Sequence, residues 1–221
     1  RLRGVEPIFE DMYDRPEYLH AIMEKMVART TAQQIYNSAR SKIAMALVNG
    51  ATLHLNISNG ACRFNIYGGT YKKAASNTDA AIVCIGANGG TINMYGGTID
   101  ASNSTTTNAT VKNSPATAVH IIGKGVEANN ARFYMHGGEI IGGTNAGNGG
   151  AIHVGACDTG DAYVGGGHFV MNGGTVYGGT AAYGGAIYAE NNCGTLTING
   201  GTITGGEATV AGGNIYAKGV D

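Results

Sequence analysis

The sequence is poor in several residue types, and each shortage excludes a class of protein. Three prolines among 221 residues exclude collagen and proline-rich linkers. Charged residues make up 13% of the chain, with a formal net charge of −1, so we expect no nucleic-acid partner. No apolar run reaches the roughly 18 residues of a transmembrane helix, so we expect no membrane span.

Glycine is the residue in excess, with 38 of 221 positions, against an ordinary share of about 7%. The hydrophobic fraction of 43% is nevertheless enough for a packed core. One glycine-containing phrase recurs five times: RFNIYGGTY (63–71), TINMYGGTI (91–99), RFYMHGGEI (132–140), HFVMNGGTV (168–176) and TLTINGGTI (195–203). A second phrase alternates with it: AAIVCI (80–85), TAVHII (117–122), GAIHVG (150–155), GAIYAE (185–190) and GNIYAK (213–218). Such recurrence predicts stacked coils.

Within both phrases apolar residues alternate with polar ones, as in a strand with one buried face. The inward columns of the first phrase are Phe64, Ile92, Phe133, Phe169 and Leu196, then Ile66, Met94, Met135, Met171 and Ile198. The inward columns of the second phrase are predicted as Ile82, Val119, Ile152, Ile187 and Ile215, then Cys84, Ile121, Val154, Ala189 and Ala217. Three short strands per coil, bent at Gly-Gly, would close into a tube.

We therefore predict an all-β fold, a right-handed parallel β-helix of about five coils, over residues 51–221, with its first strand within 51–58. Residues 1–50 lack the glycine pattern. Asp14 precedes Arg15-Pro16-Glu17, a helix-start signal, and apolar residues follow at helical spacing. A short α-helical N-terminal cap is the prediction for this segment, because an open coil end is an unpaired sheet edge.

The phrases FVMNGGTVYGGTAAYGGAIYA and LTINGGTITGGEATVAGGNIYA resemble the glycine-rich β-helix repeats of large surface and secreted proteins of gut-type bacteria. The resemblance covers about 60–217. It implies an extracellular or cell-surface location, although no signal peptide is visible in the sequence. It also implies a place in adhesin-like stalks or beside carbohydrate-active modules. Polysaccharide lyases and several glycoside hydrolases share this fold, with sites on the outer face of the middle coils.

Residues 1–29 resemble a helical stretch of the uroporphyrinogen decarboxylase and corrinoid methyltransferase family. That family is a TIM barrel, and nothing after about residue 36 continues one. The segment contains none of the family's catalytic residues, so its activity is not transferred to this chain.

Two acids are the best candidates for glycosidic-bond chemistry. Asp100 and Glu139 face outward by register, on neighbouring coils and offset by two residues. That offset places them roughly 8 Å apart, within the range of inverting glycosidases. Tyr95 and His136 stack in the same outward column, where we expect them to line a sugar subsite, and His136 joins the two acids as a candidate catalytic residue. The other interpretation is that both acids are solvated surface residues.

A second outward column is predicted to hold Val83 and then four rings: His120, His153, Tyr188 and Tyr216. Contact with the apolar face of a sugar, plain stacking between coils and a metal site are three interpretations of these rings. The column contains no acid or cysteine, and zinc normally takes at least three protein ligands, so we predict no metal.

Three inserts, 101–116, 123–131 and 155–167, project from the middle coils and are the loops where function is expected. Asp158 and Asp161 are the residues that a calcium ion would use, but two acids are too few to define a site, so no cofactor is predicted. Cys157 and Cys193 are predicted to fall on adjacent coils. The sequence is compatible both with a disulfide between them and with two free thiols. The sequence contains no CxxC pair, which is the spacing that indicates a zinc site.

The sequence thus leads to two functional hypotheses. The first is an extracellular bacterial protein that binds or processes complex carbohydrate, a polysaccharide or other glycan, as a glycoside hydrolase or a polysaccharide lyase. The second is a non-catalytic segment of a surface stalk or adhesin, in which the columns are architecture alone.

Overall fold

The computed structural model describes part of the chain, and all regular structure in that part is β-strand. The described residues are 55–57, 62–73, 81–86, 88–106, 118–123, 131–156, 166–190 and 195–218. The chain divides into two units, Arg1–Asn49 and Gly50–Asp221, and every described residue belongs to the second. The helical cap predicted for 1–50 lies outside the described residues. Within them, no helix is long and apolar enough to cross a membrane.

Twenty strands form four parallel sheets, which we name A to D. Sheet A contains β1 (Leu55–Ile57), β4 (Val83–Ile85), β8 (Val119–Gly123), β12 (Ile152–Ala156), β16 (Ile187–Ala189) and β20 (Ile215–Ala217). Sheet B contains β2 (Arg63–Ile66), β5 (Gly90–Met94), β9 (Ala131–Met135), β13 (His168–Met171) and β17 (Thr195–Ile198). Sheet C contains β3 (Thr70–Lys72), β6 (Thr98–Asp100), β10 (Glu139–Ile141), β14 (Thr175–Tyr177) and β18 (Thr202–Thr204). Sheet D contains β7 (Thr105–Thr106), β11 (Thr144–Asn145), β15 (Thr180–Tyr183) and β19 (Glu207–Ala211).

Successive strands visit sheets B, C, D and A in turn, and each strand pairs with the equivalent strand of the next coil. The fold is therefore a parallel β-helix of about five coils, as the repeat predicted. The prediction of three strands per coil was wrong, because the last four coils carry a fourth strand in sheet D. Two of those strands are only two residues long and consist of threonine and asparagine. They therefore lack the apolar alternation from which a strand is predicted.

The core lies where the columns of the first phrase predicted it, except on the last coil, where Ile198 is 43% exposed. In sheet B, Phe133 pairs with Ile92 on one side and Phe169 on the other, and Met135 pairs with Met94 and Met171. Phe133 and Phe169 are fully buried, with ring centroids 5.9 Å apart. Each such side chain contributes roughly 1.5–3 kcal/mol on burial. Because each coil buries its apolar face only against its neighbours, stability accumulates along the stack.

The register predicted for the first coil of sheet A was wrong by one residue. Val83, not Ile82, aligns with Val119, and Cys84 aligns with His120. Cys84 therefore belongs to the outward column that we had assigned to Val83. The segment 81–85 is apolar at both alternating positions, so its pattern does not distinguish the two registers, and a slip of one residue exchanges the two faces. Cys84 is half-buried and forms no disulfide.

The Gly-Gly corner between sheets B and C has a steric origin. The second glycine of the pair has a positive φ in every coil, as at Gly97 (φ 90°) and Gly138 (φ 87°). A residue with a side chain would be strained in this backbone conformation. The first glycine lies against the previous coil: a Cβ on Gly137 would stand 2.7 Å from the carbonyl oxygen of Tyr95. Backbone contact between stacked corners is therefore possible only without a side chain.

Candidate functional site

An exposed row of stacked rings follows the Gly-Gly corner of sheet B. Tyr67, Tyr95 and His136 each occupy the position directly before a corner. The ring centroids of Tyr67 and Tyr95 lie 5.1 Å apart with planes 9° from parallel, and those of Tyr95 and His136 lie 4.8 Å apart at 9°. Tyr67 is 73% and Tyr95 47% exposed, so the rings stack on one another while their outer surfaces stay in solvent.

Two asparagines continue this row on the last two coils. Asn172 Nδ2 lies 3.3 Å from His136 Nδ1, and Asn199 Nδ2 donates to Asn172 Oδ1 at 2.8 Å. We call the five residues together the open column. Backbone bonds from the last four members to the previous coil, such as Tyr95 N to Ile66 O at 2.7 Å, hold the residues at coil spacing. Aromatic rings on one half and amides on the other form a continuous polar and aromatic strip.

The second ring column lies on the outer side of sheet A but is covered. His120, His153 and Tyr188 are only 4%, 3% and 5% exposed, whereas the sequence predicted solvent-facing rings. We call these three, with Cys84 and Tyr216 at the ends, the buried column. Its rings also contact one another: His120 and His153 lie 5.0 Å apart, and His153 meets Tyr188 edge-on at 5.0 Å.

Toward the last coil the buried column becomes more accessible. Tyr216 is half-buried and stacks on Tyr188 at 5.8 Å, with the planes 3° from parallel. Tyr183 packs on Tyr216 from the other side at 4.9 Å. A sugar therefore has no access to the central histidines, and the interpretation of stacking between coils describes them best.

Burial controls the protonation of the buried column. Desolvation, followed by the neighbouring His153, lowers the pKa of His120 well below its usual value. Burial, with smaller effects of Glu190 and the neighbouring tyrosines, raises the pKa of Tyr188 to about 12. Both rings are therefore neutral at pH 7. His153 Nε2 lies 3.4 Å from a carboxylate oxygen of Glu190, but neither ring nitrogen of His153 has a hydrogen bond in the described structure.

Asp100 and Glu139 lie on paired strands of sheet C with the two-residue offset that the sequence predicted. Glu139 is opposite Thr98, and Asp100 is opposite Ile141. Glu139 is exposed and interrupts a column of threonines, with Thr98 and Thr175 as its neighbours. The register thus brings the acids onto adjacent coils on the same face.

Asp100 has a structural partner that the sequence reasoning missed. Its Oδ2 accepts a hydrogen bond from Lys72 Nζ at 2.7 Å, and its Oδ1 accepts one from the Ser102 amide at 2.9 Å. Burial alone would raise the pKa of Asp100, but these hydrogen bonds outweigh it and the pKa is lowered. The carboxyl is therefore ionised at neutral pH, unlike the acid that protonates a leaving group. Lys72 occupies the Asp100 position of the previous coil, a signal that the repeat alignment contained.

Sheet D forms a groove that the sequence reasoning also missed. Thr105, Thr144 and Thr180 stand in one column across three coils, and they line a groove of about 400 Å³ with Asn145 at its base. Asn145 is buried and accepts a hydrogen bond from Thr106 Oγ1 at 2.6 Å. Thr144 and Thr180 each follow the second corner glycine by six residues, which was an available signal, whereas Thr105 follows it by eight.

The remaining candidates fall largely outside the described residues. These are the calcium pair Asp158 and Asp161, the cysteines Cys157 and Cys193, and most of the three inserts. Cys62 is described, exposed and unbonded to another cysteine. Among the described residues, no group of three or more His, Cys, Asp and Glu side chains is placed to hold a metal ion.

Comparison with known proteins adds no assignment. No family model, no curated protein and no solved structure matches this chain.

Proposed function

We propose that this protein binds complex carbohydrate, with the open column as the contact surface. The observation that carries the proposal is the exposed stack of Tyr67, Tyr95 and His136. The stack leaves the outer edges of its rings in solvent at regular coil spacing, where they can contact successive sugar units. Asn172 and Asn199 extend the same strip with amide donors and acceptors for hydroxyl groups. The extracellular or cell-surface location expected from the resemblance belongs to this proposal.

Binding is favoured over bond cleavage as the core of the proposal. A hydrolase of the inverting type needs one carboxyl that stays protonated and one that is ionised. Asp100 is ionised and held by Lys72, so it does not supply the protonated carboxyl. The glycoside hydrolase or polysaccharide lyase hypothesis therefore rests only on the register that brings the two acids onto adjacent coils.

Binding to a glycan array, followed by titration of the best ligand, tests the proposal. Tyr67→Ala and Tyr95→Ala should each weaken binding several-fold, since one aromatic contact contributes on the order of 1 kcal/mol. Tyr177→Ala is the matched control, because Tyr177 is 40% exposed on the outer face of sheet C. An equal loss in the Tyr177 variant would place the contact surface elsewhere, and a chain that binds no glycan would refute the proposal.

Cleavage is measured in the same samples as release of reducing ends or unsaturated products. Turnover that disappears in Glu139→Gln and Asp100→Asn would extend the proposal to an enzyme. Binding without turnover would restrict it to recognition.

A non-catalytic stalk is the second candidate function, and the buried column favours it. His120, His153 and Tyr188 show that this fold stacks rings for internal packing as well as on its surface. If the open column serves only the same purpose, Tyr95→Ala will lower the stability of the fold and no glycan will bind.

A further inference from the structure

The outer face of sheet B carries two more columns beside the open column. Outward positions alternate with core positions, so residues 63, 65 and 67 and their equivalents share one surface. The middle column consists of Asn65, Asn93, Tyr134, Val170 and Thr197. The far column consists of Arg63, Thr91, Arg132, His168 and Thr195.

Contacts join the three columns into one surface. Asn93 Nδ2 donates to Asn65 Oδ1 at 2.9 Å within the middle column. The ring of Tyr134 in that column lies 6.4 Å from the ring of His136 in the open column. Four residues along a strand separate Arg63 from Tyr67, which is about 13 Å, and four coil spacings give the face a length of roughly 19 Å.

Charge is distributed unevenly over this surface. The acids among the described residues are Asp100, Glu139, Glu190 and Glu207, and none of them lies at an outward position of sheet B. Arg63 is exposed and Arg132 half-buried, and in the described part of the chain neither guanidinium forms an ion pair. The face is therefore cationic, although the whole chain has a formal net charge of −1.

His168 stands next to Arg132 in the far column and does not add to the permanent charge. Desolvation, followed by the Arg132 guanidinium, lowers the pKa of His168. Its Nδ1 lies 3.0 Å from Thr195 Oγ1, while its Nε2 is buried without a hydrogen-bond partner in the described structure. The guanidinium groups of Arg63 and Arg132 are thus the charged groups that a ligand would meet, and their strand positions lie two coils or about 9–10 Å apart.

We propose that the outer face of sheet B binds an acidic polysaccharide, whose carboxylate or sulfate groups pair with Arg63 and Arg132 while its sugar rings lie on the open column. This proposal rests on the proposed function and specifies its ligand class. Guanidinium groups pair with carboxylate and sulfate oxygens through two parallel hydrogen bonds, which a neutral sugar does not offer. A nucleic acid fits less well, because its affinity depends on many phosphate contacts and two arginines supply few.

The test is a titration of the intact chain with four probes: polygalacturonate, dextran sulfate, uncharged dextran and a thymidine oligonucleotide. At low salt, an acidic glycan should bind at least roughly tenfold more tightly than dextran, as expected for charge-assisted hydrogen bonds. The Arg63→Gln/Arg132→Gln variant should lose about that factor on the acidic glycan and keep its affinity for dextran. A preference for polygalacturonate or for dextran sulfate identifies carboxylate or sulfate as the paired group.

Two controls separate a specific surface from general charge and from misfolding. Lys218→Gln removes one positive charge from an exposed residue after sheet A and should leave every affinity unchanged. Arg63→Lys keeps the charge but not the paired hydrogen bonds, so it should retain only part of the affinity. Unchanged thermal unfolding of each variant shows that the fold is intact.

The results that overturn the proposal differ from those that overturn the proposed function. Equal affinity for dextran and both acidic glycans, lost in Tyr95→Ala but not in the arginine variant, would refute the acidic ligand and leave carbohydrate binding in place. Binding of none of the three glycans would refute the acidic ligand, and a failure on the glycan array as well would refute carbohydrate binding. Tighter binding of the oligonucleotide than of either acidic glycan would replace the polysaccharide with a nucleic acid.

Discussion

The open column and the buried column are built in the same way, but the first is exposed to solvent and the second is largely buried. Both contain tyrosine and histidine rings at coil spacing, with centroids 4.8–5.8 Å apart along the stack. Tyr67 is 73% exposed and Tyr188 only 5%. Stacking of rings on neighbouring coils is therefore a property of the fold, and exposure is what distinguishes the open column from the buried column.

Stability measurements on matched tyrosines should show the largest difference between the columns. Tyr188→Ala removes a buried ring and should lower the free energy of unfolding by about 3 kcal/mol. Tyr67→Ala removes a ring that is mostly in solvent and should change it by no more than about 0.5 kcal/mol. Chemical denaturation of both variants checks this, and similar losses would show that the two columns are equally structural.

Corner glycines should show the next largest effect, and they test what keeps the open column regular. Gly137→Ala brings a Cβ within 2.7 Å of the Tyr95 carbonyl oxygen and should cost about 1–3 kcal/mol. Gly68→Ala makes the same change where no atom lies within 4 Å, so it should be close to neutral. Equal melting temperatures for the two variants would contradict the steric account of the corner.

The pH dependence of stability should report the buried column. The pKa of His120 is lower in the folded chain than in the unfolded chain, so the unfolded chain takes up a proton first as the pH falls. The free energy of unfolding should thus be constant above about pH 7.5 and fall below pH 6.5, by up to about 1.4 kcal/mol per pH unit for one proton.

Urea denaturation between pH 7.5 and 5.5 measures this slope. His120→Gln should reduce it, whereas His136→Gln on the open column is the control for loss of an exposed imidazole. An unchanged slope in the His120 variant would mean that another group controls the acid sensitivity. His168, whose pKa is also lowered, contributes in the same direction.

The smallest effect is expected from the Asp100–Lys72 pair. Asp100→Asn should lower the free energy of unfolding by at most about 1 kcal/mol, because Lys72 is half exposed and the pair is screened by solvent. Its contribution should be present above about pH 4 and be lost as the pH falls, since the pKa of Asp100 is lowered by folding. Comparison with Lys72→Gln checks this, because loss of either partner should have a similar effect.

Sequence periodicity predicted the fold where one face of a strand is apolar and the other polar. Sheet B meets this condition, so the alignment of Phe64 with Ile92 and the outward placement of Tyr95 were both correct. Sheet A does not, and Cys84 was assigned to the wrong face. Sheet D was missed, since strands as short as Thr105–Thr106 are too brief for a period to appear.

The candidate site was less predictable than the fold. Periodicity shows which side of a strand a residue occupies, but it carries no information about what covers that side. His120 and His153 were therefore placed correctly on the outer side of sheet A and incorrectly in solvent. The partner of Asp100 depends on the reach of the Lys72 side chain across one coil, which the alignment alone did not reveal.

The Gly-Gly corner has a consequence for how this protein can change in evolution. Three residues connect sheet B to sheet C in all five coils, whereas four to eleven residues connect sheet A to the next strand of sheet B. The differences in length among the five coils thus lie at other corners, and the residues beside Gly-Gly keep one spacing. The open column consequently keeps a constant spacing of one residue per coil, so a single substitution changes its chemistry without changing that spacing.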